Sequence, residues 1–369
     1  MTTMVSHRTP AEARSFWHVL ETALAEIQQA AGPRDRETPP RFPADAFALL
    51  REAGALSFNA HPGERRPPAD LELSLVRRVA AADGSVGRIF DGHLNAVERL
   101  AVLAPAELRD AELQAVCEGR LLAGVWGGEP AEAEGPPAAI ERVAGEERVR
   151  GVKTFCSGAG GLDRAAVLVR DPDDERPALV WIDLGHEGVE IDRAWYRGSG
   201  LVASESHRVV FHDVPVLTRL GAPGAIAAQP WFARDALRTT ASWAGMADTA
   251  VQGALATLAQ RPRRTELEAL AAGRILTARG TIDAWMTTAA RAIDGADPEL
   301  AAIAVHARAA VAEACRSLLH EAAQACGSRP FARGADLDRA RRDLELFLLQ
   351  HRLDPLLVRL GSAALERMP

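Results

Sequence analysis

The order of sequence patterns along this 369-residue chain is the feature that most limits its fold. Up to about residue 122, apolar residues recur at helical spacing, as in FPADAFALLREAGAL. Between 123 and 218, short β-branched runs are separated by Gly, Pro and Asp, which is typical of a small antiparallel barrel or sandwich. From Trp231 onward, Ala-rich and Leu-rich helical periodicity returns. The order predicts an α+β chain with an all-α domain at 1–122, a β domain at 123–218 and a four-helix domain at 219–369.

Charge and composition exclude several classes of protein. The formal net charge is −7 and the basic residues are spread along the chain, so an extended basic surface for nucleic acid is not expected. No uncharged apolar run approaches the roughly 20 residues that cross a bilayer, and the N-terminus lacks the apolar core of a signal peptide. The four cysteines form no C-x-x-C pair, and the ten histidines form no cluster of metal-ligand spacing. We therefore expect a cytoplasmic protein without a metal site, a membrane partner or a nucleic-acid partner.

The basic residues are strongly skewed towards arginine. Of the 43 Lys and Arg residues, Lys153 is the one lysine. A GC-rich coding bias explains the arginines, but it does not explain why this position keeps a lysine. A site that needs a compact ammonium group, which a planar guanidinium cannot replace, does explain it. We therefore single out the segment GVKTF around Lys153.

Several segments resemble the acyl-CoA dehydrogenase family. WGGEP at 126–130 lies where the family has a Thr-Glu-Pro segment, and GVKTFCSGAGG resembles its Gly-x-Lys-x-Trp-Ile-Thr-Asn strand. RVVFHDVPV at 208–216 resembles the strand that leaves the family's barrel, and FPADAFALLREAGAL resembles an early helix. The resemblance spans nearly the whole chain. It implies an N-terminal all-α domain, a central antiparallel β-barrel and a C-terminal four-helix bundle around FAD.

Two intervals in the C-terminal region match the spacing of that family. Arg261 follows Gly245 by sixteen positions, and Asp343 follows Gly327 by sixteen positions. By resemblance, Arg261 holds the FAD pyrophosphate across a subunit boundary, while Gln324 and Gly327 cradle the adenylate half. The alternatives are a solvated charge in the RPRR turn for Arg261 and a polar residue at a helix end for Gln324.

The same resemblance assigns the flavin ring to the β region. It implies that the backbone from Trp126 to Gly128 faces the pyrimidine edge, that Phe155 forms a wall against the ring, and that the Ser157 hydroxyl reaches N5. Gly128 stands where the family usually has threonine, and Phe155 stands where it usually has tryptophan. Alternatively, Trp126 and Phe155 are core aromatics and Ser157 caps a turn. FAD is expected, with FMN as the less favoured flavin.

Dehydrogenation of an acyl thioester needs a base that removes the α-proton as the β-hydrogen leaves as hydride. In most of the family this base is a glutamate eight residues after the aspartate that matches Asp343, and here that position is His351. A histidine near a helix C-terminus is biased towards its charged form, so it is a poorer base and a better acid. Other members place the base ten residues before the glycine that matches Gly245, which here is Asp235. Alternatively, His351 is a surface histidine, and Asp235 is an acid favoured by a helix N-terminus.

Three functions remain open from the sequence. The leading hypothesis is an FAD-dependent acyl-CoA dehydrogenase-like oxidoreductase acting on an acyl thioester, with an electron-transfer flavoprotein as a partner. The second is a flavin monooxygenase on the same fold, which takes reduced flavin from a reductase and for which the loss of the glutamate is expected. The third is a degenerate, non-catalytic flavoprotein. The family usually packs its bundles into dimers or tetramers, so a homodimer or homotetramer is expected by resemblance.

Overall fold

The structure is a computed structural model that describes residues 10–63, 66–350 and 353–368. Its N-terminal part is helical. Helices α3 and α4 are separated by Asp83, whose backbone is extended and whose carboxylate accepts hydrogen bonds from the N–H groups of Ser85 (2.8 Å) and Val86 (3.2 Å). The N-terminal helices are α1 (Pro10–Arg36), α2 (Ala44–Glu52), α3 (Ala69–Ala82), α4 (Gly84–Leu103) and α5 (Ala106–Cys117).

Seven strands follow and form one mixed sheet. Along the hydrogen-bonded path the order is β1-β4-β5-β7-β3-β2, and β6 pairs with β7 beside this path. Only β1 and β4 run parallel among the named pairs of the described residues. The strands are β1 (Ala123–Trp126), β2 (Ala139–Val143), β3 (Glu146–Cys156), β4 (Arg164–Val169), β5 (Ala178–Asp183), β6 (Val189–Asp192) and β7 (His207–Arg219).

The predicted antiparallel barrel is not confirmed, because the sheet is not closed and contains a parallel pair. The edge of β1 bonds to a helix. The Ala123 N–H donates to Nδ1 of His93 in α4 (3.1 Å) instead of to another strand. The other ring nitrogen of His93 lies 2.9 Å from the Leu56 carbonyl oxygen, and burial lowers the pKa of this histidine to about 4. The neutral imidazole therefore bonds the edge of the sheet to the helical part of the chain.

The C-terminal part is again helical, with α6 at its centre. Helix α6 packs against α7, α8 and α9, and it also packs against α3 and α4. One hydrophobic core consequently runs through the N-terminal helices, the sheet and the C-terminal helices. The C-terminal helices are α6 (Trp231–Ala259), α7 (Glu266–Asp294), α8 (Leu300–Cys326), α9 (Asp336–Leu348) and α10 (Asp354–Glu366).

Gly245 lies where α6 crosses α3. A Cβ atom at this position would stand 2.1 Å from the Arg77 carbonyl oxygen and 2.8 Å from the Ala81 nitrogen. Both atoms belong to the backbone of α3, so neither can move without shifting that helix. The glycine that the resemblance marks in the sequence is thus required by the close approach of two helices.

Three further features of the described residues bear on function. None of the helices in these ranges is both long enough and apolar enough to span a membrane. No group of three or more His, Cys, Asp or Glu side chains within the same ranges could hold a metal ion. The four cysteines are free thiols.

We predict that Gly245→Ala destabilises the protein by at least about 2 kcal/mol, since the added methyl group overpacks a backbone contact. Equilibrium unfolding in urea measures the change. The matched control is Gly273→Ala in α7, where an added Cβ atom would have no neighbouring atom within 4 Å. That substitution should stabilise the protein by about 0.5–1 kcal/mol through helix propensity. Equal effects of the two substitutions would contradict the assignment of Gly245 to the helix crossing.

Candidate functional site

A cavity of about 690 Å³ lies between the sheet and the helices α4, α6, α8 and α9. One wall comes from β1, β3 and the segments that follow them, and includes Gly128, Phe155 and Ser157. The opposite wall is helical and includes Arg88 of α4, Asp235 of α6 and Arg308 of α8, together with Leu346, Phe347, Leu349 and Gln350 at the end of α9. Four of the residues singled out in the sequence, Gly128, Phe155, Ser157 and Asp235, therefore line one cavity.

Phe155 is turned into this cavity by an irregularity in β3. The pairing of β3 with β7 shifts register between Lys153 and Cys156, and Phe155 adopts a positive φ of 53°. Its side chain is 57% exposed and contacts the edge of Trp195, with ring centroids 4.9 Å apart. A positive φ is unfavourable for a bulky residue, so the surrounding structure must hold it. The alternative that Phe155 is a core aromatic is wrong.

Trp126 has the opposite placement. Its side chain is buried, and its indole N–H donates to the Ser157 carbonyl oxygen (3.1 Å). The alternative that Trp126 is a core aromatic is therefore right for its side chain, which holds the backbone of Ser157 in place. The Ser157 hydroxyl continues into a chain of hydroxyl groups, 2.8 Å from Oγ of Ser206, which is 2.8 Å from Oγ of Ser204. Ser157 and Ser206 both line the cavity, so these exchangeable protons reach its surface.

The segment that ends with Gly128 is held against β3 by three interactions. The Thr154 N–H donates to the Gly128 carbonyl oxygen (3.1 Å), and the Thr154 hydroxyl donates to the Glu129 carbonyl oxygen (2.9 Å). The Lys153 ammonium, which is fully buried, pairs with the Glu129 carboxylate. A Cβ atom on Gly128 would stand 2.2 Å from the Thr154 carbonyl oxygen. Glycine replaces the family's threonine because no side chain fits at this close approach.

Asp235 reaches the cavity from the first turns of α6, and both of its oxygens are engaged. Oδ2 pairs with the Arg99 guanidinium, and Oδ1 accepts from Nη1 of Arg238 (3.3 Å). Burial raises the pKa of Asp235 to about 7, while Arg99 and Arg238 act in the opposite direction and Glu98 adds to the rise. This carboxylate is therefore held in position between two cations.

Behind Asp235 lies a buried ionic cluster that joins three helices. Arg238 donates to Glu72 of α3 (2.8 Å) and to both oxygens of Glu98 of α4 (2.6 and 2.9 Å). Arg234 donates to the same two glutamates (2.5 Å to Glu72 and 2.8 Å to Glu98). The pKa of Glu98 is lowered to about 2, with Arg238 and Arg234 outweighing the opposing effect of burial, and that of Arg238 is raised by the carboxylates although burial opposes it. The cluster fixes the wall on which Asp235 stands.

A loop between β6 and β7 covers the cavity and is held by α9. The Leu201 N–H donates to the Asp343 carboxylate (2.6 Å), and Nη1 of Arg342 donates to the Ser199 carbonyl oxygen (2.5 Å). The Tyr196 hydroxyl donates to the Gly200 carbonyl oxygen (2.7 Å). Tyr196 and Leu201 line the cavity. Asp343, which the sequence marked by its interval, and its neighbour Arg342 thus hold this loop at the cavity.

The remaining predicted cofactor residues lie elsewhere. Arg261 follows the far end of α6, about 39 Å from Asp235 at the rise of an α-helix. Its guanidinium pairs with Glu268 and donates to the Ala325 carbonyl oxygen (2.7 Å), between Gln324 and the segment of Gly327. Gln324 and Gly327 are exposed. These three residues form their own group at that end of the helix, and none of them lines the cavity. Their role in cofactor binding stays a prediction.

His351 lies outside the described residues. Its neighbour Gln350 lines the cavity. Sequence reasoning missed Arg88 and Arg308 on the helical wall. For Arg308 a signal exists, because it interrupts the apolar face of α8 that carries Leu300, Ala304, Val311 and Cys315.

Comparisons with known proteins agree with this geometry. No protein-family model matches the chain. The dibenzothiophene monooxygenase of Rhodococcus erythropolis is 29% identical over 161 residues, which are 42% of this chain and 38% of that protein. The dibenzothiophene monooxygenase of Mycolicibacterium goodii is 27% identical over 235 residues, which are 60% of this chain and 53% of that protein. The chain thus matches between 38% and 53% of the length of these two relatives.

Solved structures match over almost the whole chain. FMN-bound TdsC from Paenibacillus sp. A11-2 has a TM-score of 0.82 at 21% identity, covering 96% of this chain and 98% of that chain. A probable acyl CoA dehydrogenase from Mycobacterium abscessus has a TM-score of 0.79 at 18% identity, covering 92% and 94%. The chain has the acyl-CoA dehydrogenase fold. The resemblance predicted from the sequence is confirmed at this level.

We predict that Lys153→Arg destabilises the protein by about 1–3 kcal/mol and weakens flavin binding, since a larger guanidinium replaces a fully buried ammonium beside Glu129. Thermal unfolding and flavin fluorescence titration measure the two effects. The matched control is the reverse exchange, Arg150→Lys, at an exposed position of the same strand. The assignment of Lys153 to this support is wrong if both variants behave like the wild type.

A second prediction concerns Asp343. Burial and the Asp83 charge raise its pKa to about 7, while the Leu201 N–H acts in the opposite direction. The folded chain therefore keeps this proton at pH values where the unfolded chain has lost it, so the stability from this group is present at low pH and is lost as pH rises through 7. As pH rises from 5 to 8, the free energy of unfolding of Asp343→Asn should increase by roughly 3 kcal/mol relative to that of the wild type. Urea unfolding at each pH measures this difference.

The control for that substitution is Asp336→Asn, at an exposed position in the first turn of the same helix. A difference between Asp343→Asn and the wild type that stays constant across this pH range would show that the carboxyl group is ionised in the folded protein throughout.

Proposed function

We propose that this chain is a flavin-dependent monooxygenase that uses reduced FMN supplied by a reductase and transfers one oxygen atom of O₂ to a small organic substrate. The other oxygen atom leaves as water, and reduced flavin supplies the two electrons that this requires. The proposal keeps the flavoprotein interpretation of the sequence and prefers its second hypothesis to acyl-CoA dehydrogenation.

The observation that carries this choice is the state of the carboxylates at the cavity. Asp235 is the carboxylate among the described lining residues, and its two oxygens already accept from Arg99 and Arg238. The position of the family's glutamate holds His351 in the sequence. The carboxylate that an α-proton meets in this cavity is therefore held by two guanidinium groups, whereas oxygen transfer to a heteroatom or an electron-rich ring needs no such base.

The strand wall fits a flavin. Gly128 lines the cavity and carries no side chain, so a ring can approach the backbone there, and the exposed face of Phe155 offers an apolar surface to it. The Ser157 hydroxyl, with Ser206 and Ser204 behind it, supplies hydrogen bonds and a route for protons. These residues would hold the isoalloxazine ring, and the chain of hydroxyl groups would exchange its protons.

FMN is preferred to FAD in this proposal. TdsC, which has the same fold, binds FMN. The residues predicted for the adenylate and pyrophosphate of FAD lie at the far end of α6, where Arg261 is engaged by Glu268 and the Ala325 carbonyl oxygen. The homodimer or homotetramer expected from the sequence, which would bring this end to a second subunit, remains a prediction.

We expect the purified chain to bind reduced FMN more tightly than FAD and, with a reductase and NADH, to insert label from ¹⁸O₂ into at least one member of a panel of neutral and anionic compounds. The panel comprises dibenzothiophene, indole and methanesulfinate, and mass spectrometry detects the label. Under anaerobic conditions, acyl thioesters should leave the bound flavin oxidised.

Bleaching of the flavin by an acyl thioester would restore the dehydrogenase hypothesis. A chain that binds neither flavin would favour the non-catalytic hypothesis. The proposal is also rejected if flavin binds and no member of the panel gains label.

A further inference from the structure

Arg308 is a buried arginine that lines the cavity and has no carboxylate partner among the described residues. Only 6% of the residue is exposed, and it lines the cavity from α8. Its Nε and Nη2 atoms are buried and donate to no acceptor within hydrogen-bond distance among the described residues. No carboxylate in the same ranges lies within ion-pair distance of it. Such a guanidinium has lost water without gaining a counter-charge, which is costly for a folded protein.

Other buried arginines of this structure pair with buried carboxylates. Arg238 and Arg234 each pair with Glu72 and Glu98, and Arg34 pairs with Asp83. In contrast, the Arg308 guanidinium lies over the Trp243 ring, 5.3 Å from its centroid. An aromatic face holds the cation in place and orients it, but it leaves the N–H groups unsatisfied. The geometry is that of a cation kept for a ligand.

The surroundings of Arg308 leave positive charge in excess. The ring of Trp243 meets the edge of Phe347, and Arg88 lies over the other ring, 5.3 Å from its centroid. The acid nearby is Asp91, which accepts from Thr239 (3.1 Å) and lies 3.5 Å from Arg88. Two guanidinium groups thus share one carboxylate at this end of the cavity. Burial lowers the pKa of Arg308 to about 10, so it stays charged at neutral pH.

The position of Arg308 separates it from the proposed flavin wall. Gly128, Phe155 and Ser157 line the cavity from the sheet, whereas Arg308, Arg88 and Phe347 line it from the helices. A ring lying on the sheet side leaves the helical side for the second reactant. The buried cation is therefore placed to meet the substrate.

We propose that the helical side of the cavity binds an anionic substrate, a small organic acid whose carboxylate or sulfur oxyanion pairs with the Arg308 guanidinium. This assignment rests on the proposed function, in which the sheet side holds the flavin. It deepens that proposal by naming the charge of the substrate. Arg308 then acts as a specificity-determining residue, because an uncharged analogue would leave the buried cation unpaired.

The test measures binding of charged and neutral probes of the same shape to the ligand-free and FMN-loaded chain by calorimetry. The pairs are benzoate with benzamide and methanesulfinate with dimethyl sulfoxide. In the wild type, at least one anion should bind about tenfold or more tightly than its neutral partner. Arg308→Gln should remove this preference, and Arg308→Lys should keep part of it. The control is Arg316→Gln, at an exposed position of the same helix, which should leave the preference unchanged.

A second measurement guards against a folding defect. Removing an unpaired buried charge should raise the melting temperature of ligand-free Arg308→Gln above that of the wild type, while Arg316→Gln should not raise it. Addition of benzoate should raise the melting temperature of the wild type but not that of Arg308→Gln. An equal rise for Arg308→Gln would show that benzoate binds without this cation and would overturn the proposal.

The flavin phosphate is the other anion that is available to Arg308. A comparison of FMN with riboflavin, which lacks the phosphate, distinguishes the two anions. Under the proposal, Arg308→Gln changes the affinity for FMN and for riboflavin by less than about twofold. A tenfold loss for FMN with no change for riboflavin would assign Arg308 to the phosphate and overturn the proposal. Equal binding of charged and neutral probes would also overturn it. Failure of flavin binding alone rejects the proposed function, because the anion measurement uses the ligand-free chain.

Discussion

The ion pairs of Arg238 with Glu72 and Glu98 are the interaction on which the cavity depends. They join α3, α4 and α6 at a point where all three side chains are buried. Removing one partner of such a cluster leaves an uncompensated charge in the interior, which typically costs about 3–5 kcal/mol. Asp235 is attached to the same cluster through Arg238 and Arg99, so the helical wall of the cavity is positioned as one unit. The cluster therefore holds Asp235 and the helical wall of the cavity in a fixed position.

The strand wall depends on a separate set of contacts, centred on the pair of Lys153 and Glu129. The pair holds the segment of Gly128 against β3, and the irregularity that follows turns Phe155 into the cavity. One wall is thus rich in backbone and hydroxyl groups, and the other carries guanidinium groups. The strand wall therefore favours a flat cofactor, and the helical wall favours a charged reactant.

Much of the fold could be predicted from the sequence, because helical and strand periodicities are local patterns. The change from helix to strand near residue 122 and the return to helix at Trp231 follow from such patterns. The open edge of the sheet could not be predicted, since the partner of the Ala123 N–H is His93, 30 residues away in the chain. The division into three domains stays a prediction, because one core runs through all three parts.

The residues of the site could likewise be predicted only where a local sequence pattern marks them. Gly128, Phe155, Ser157 and Asp235 were found from segments that resemble a family, and they line one cavity. The partners of Asp235 were not found, because Arg99 lies 136 residues away and no local pattern records the pairing. Arg308 carries a local signal, a charge on an apolar helical face, but a face alone does not tell whether a counter-charge lies opposite. Tertiary pairing of charges is the information that periodicity lacks.

A crystal structure of the chain with FMN and benzoate tests the central claim most directly, because the claim concerns which wall holds which molecule. We expect the isoalloxazine ring against Gly128 and Phe155, with the benzoate carboxylate within hydrogen-bond distance of the Arg308 guanidinium. A flavin phosphate on Arg308, or a flavin bound at the Arg261 end of α6 with the cavity empty, would contradict it.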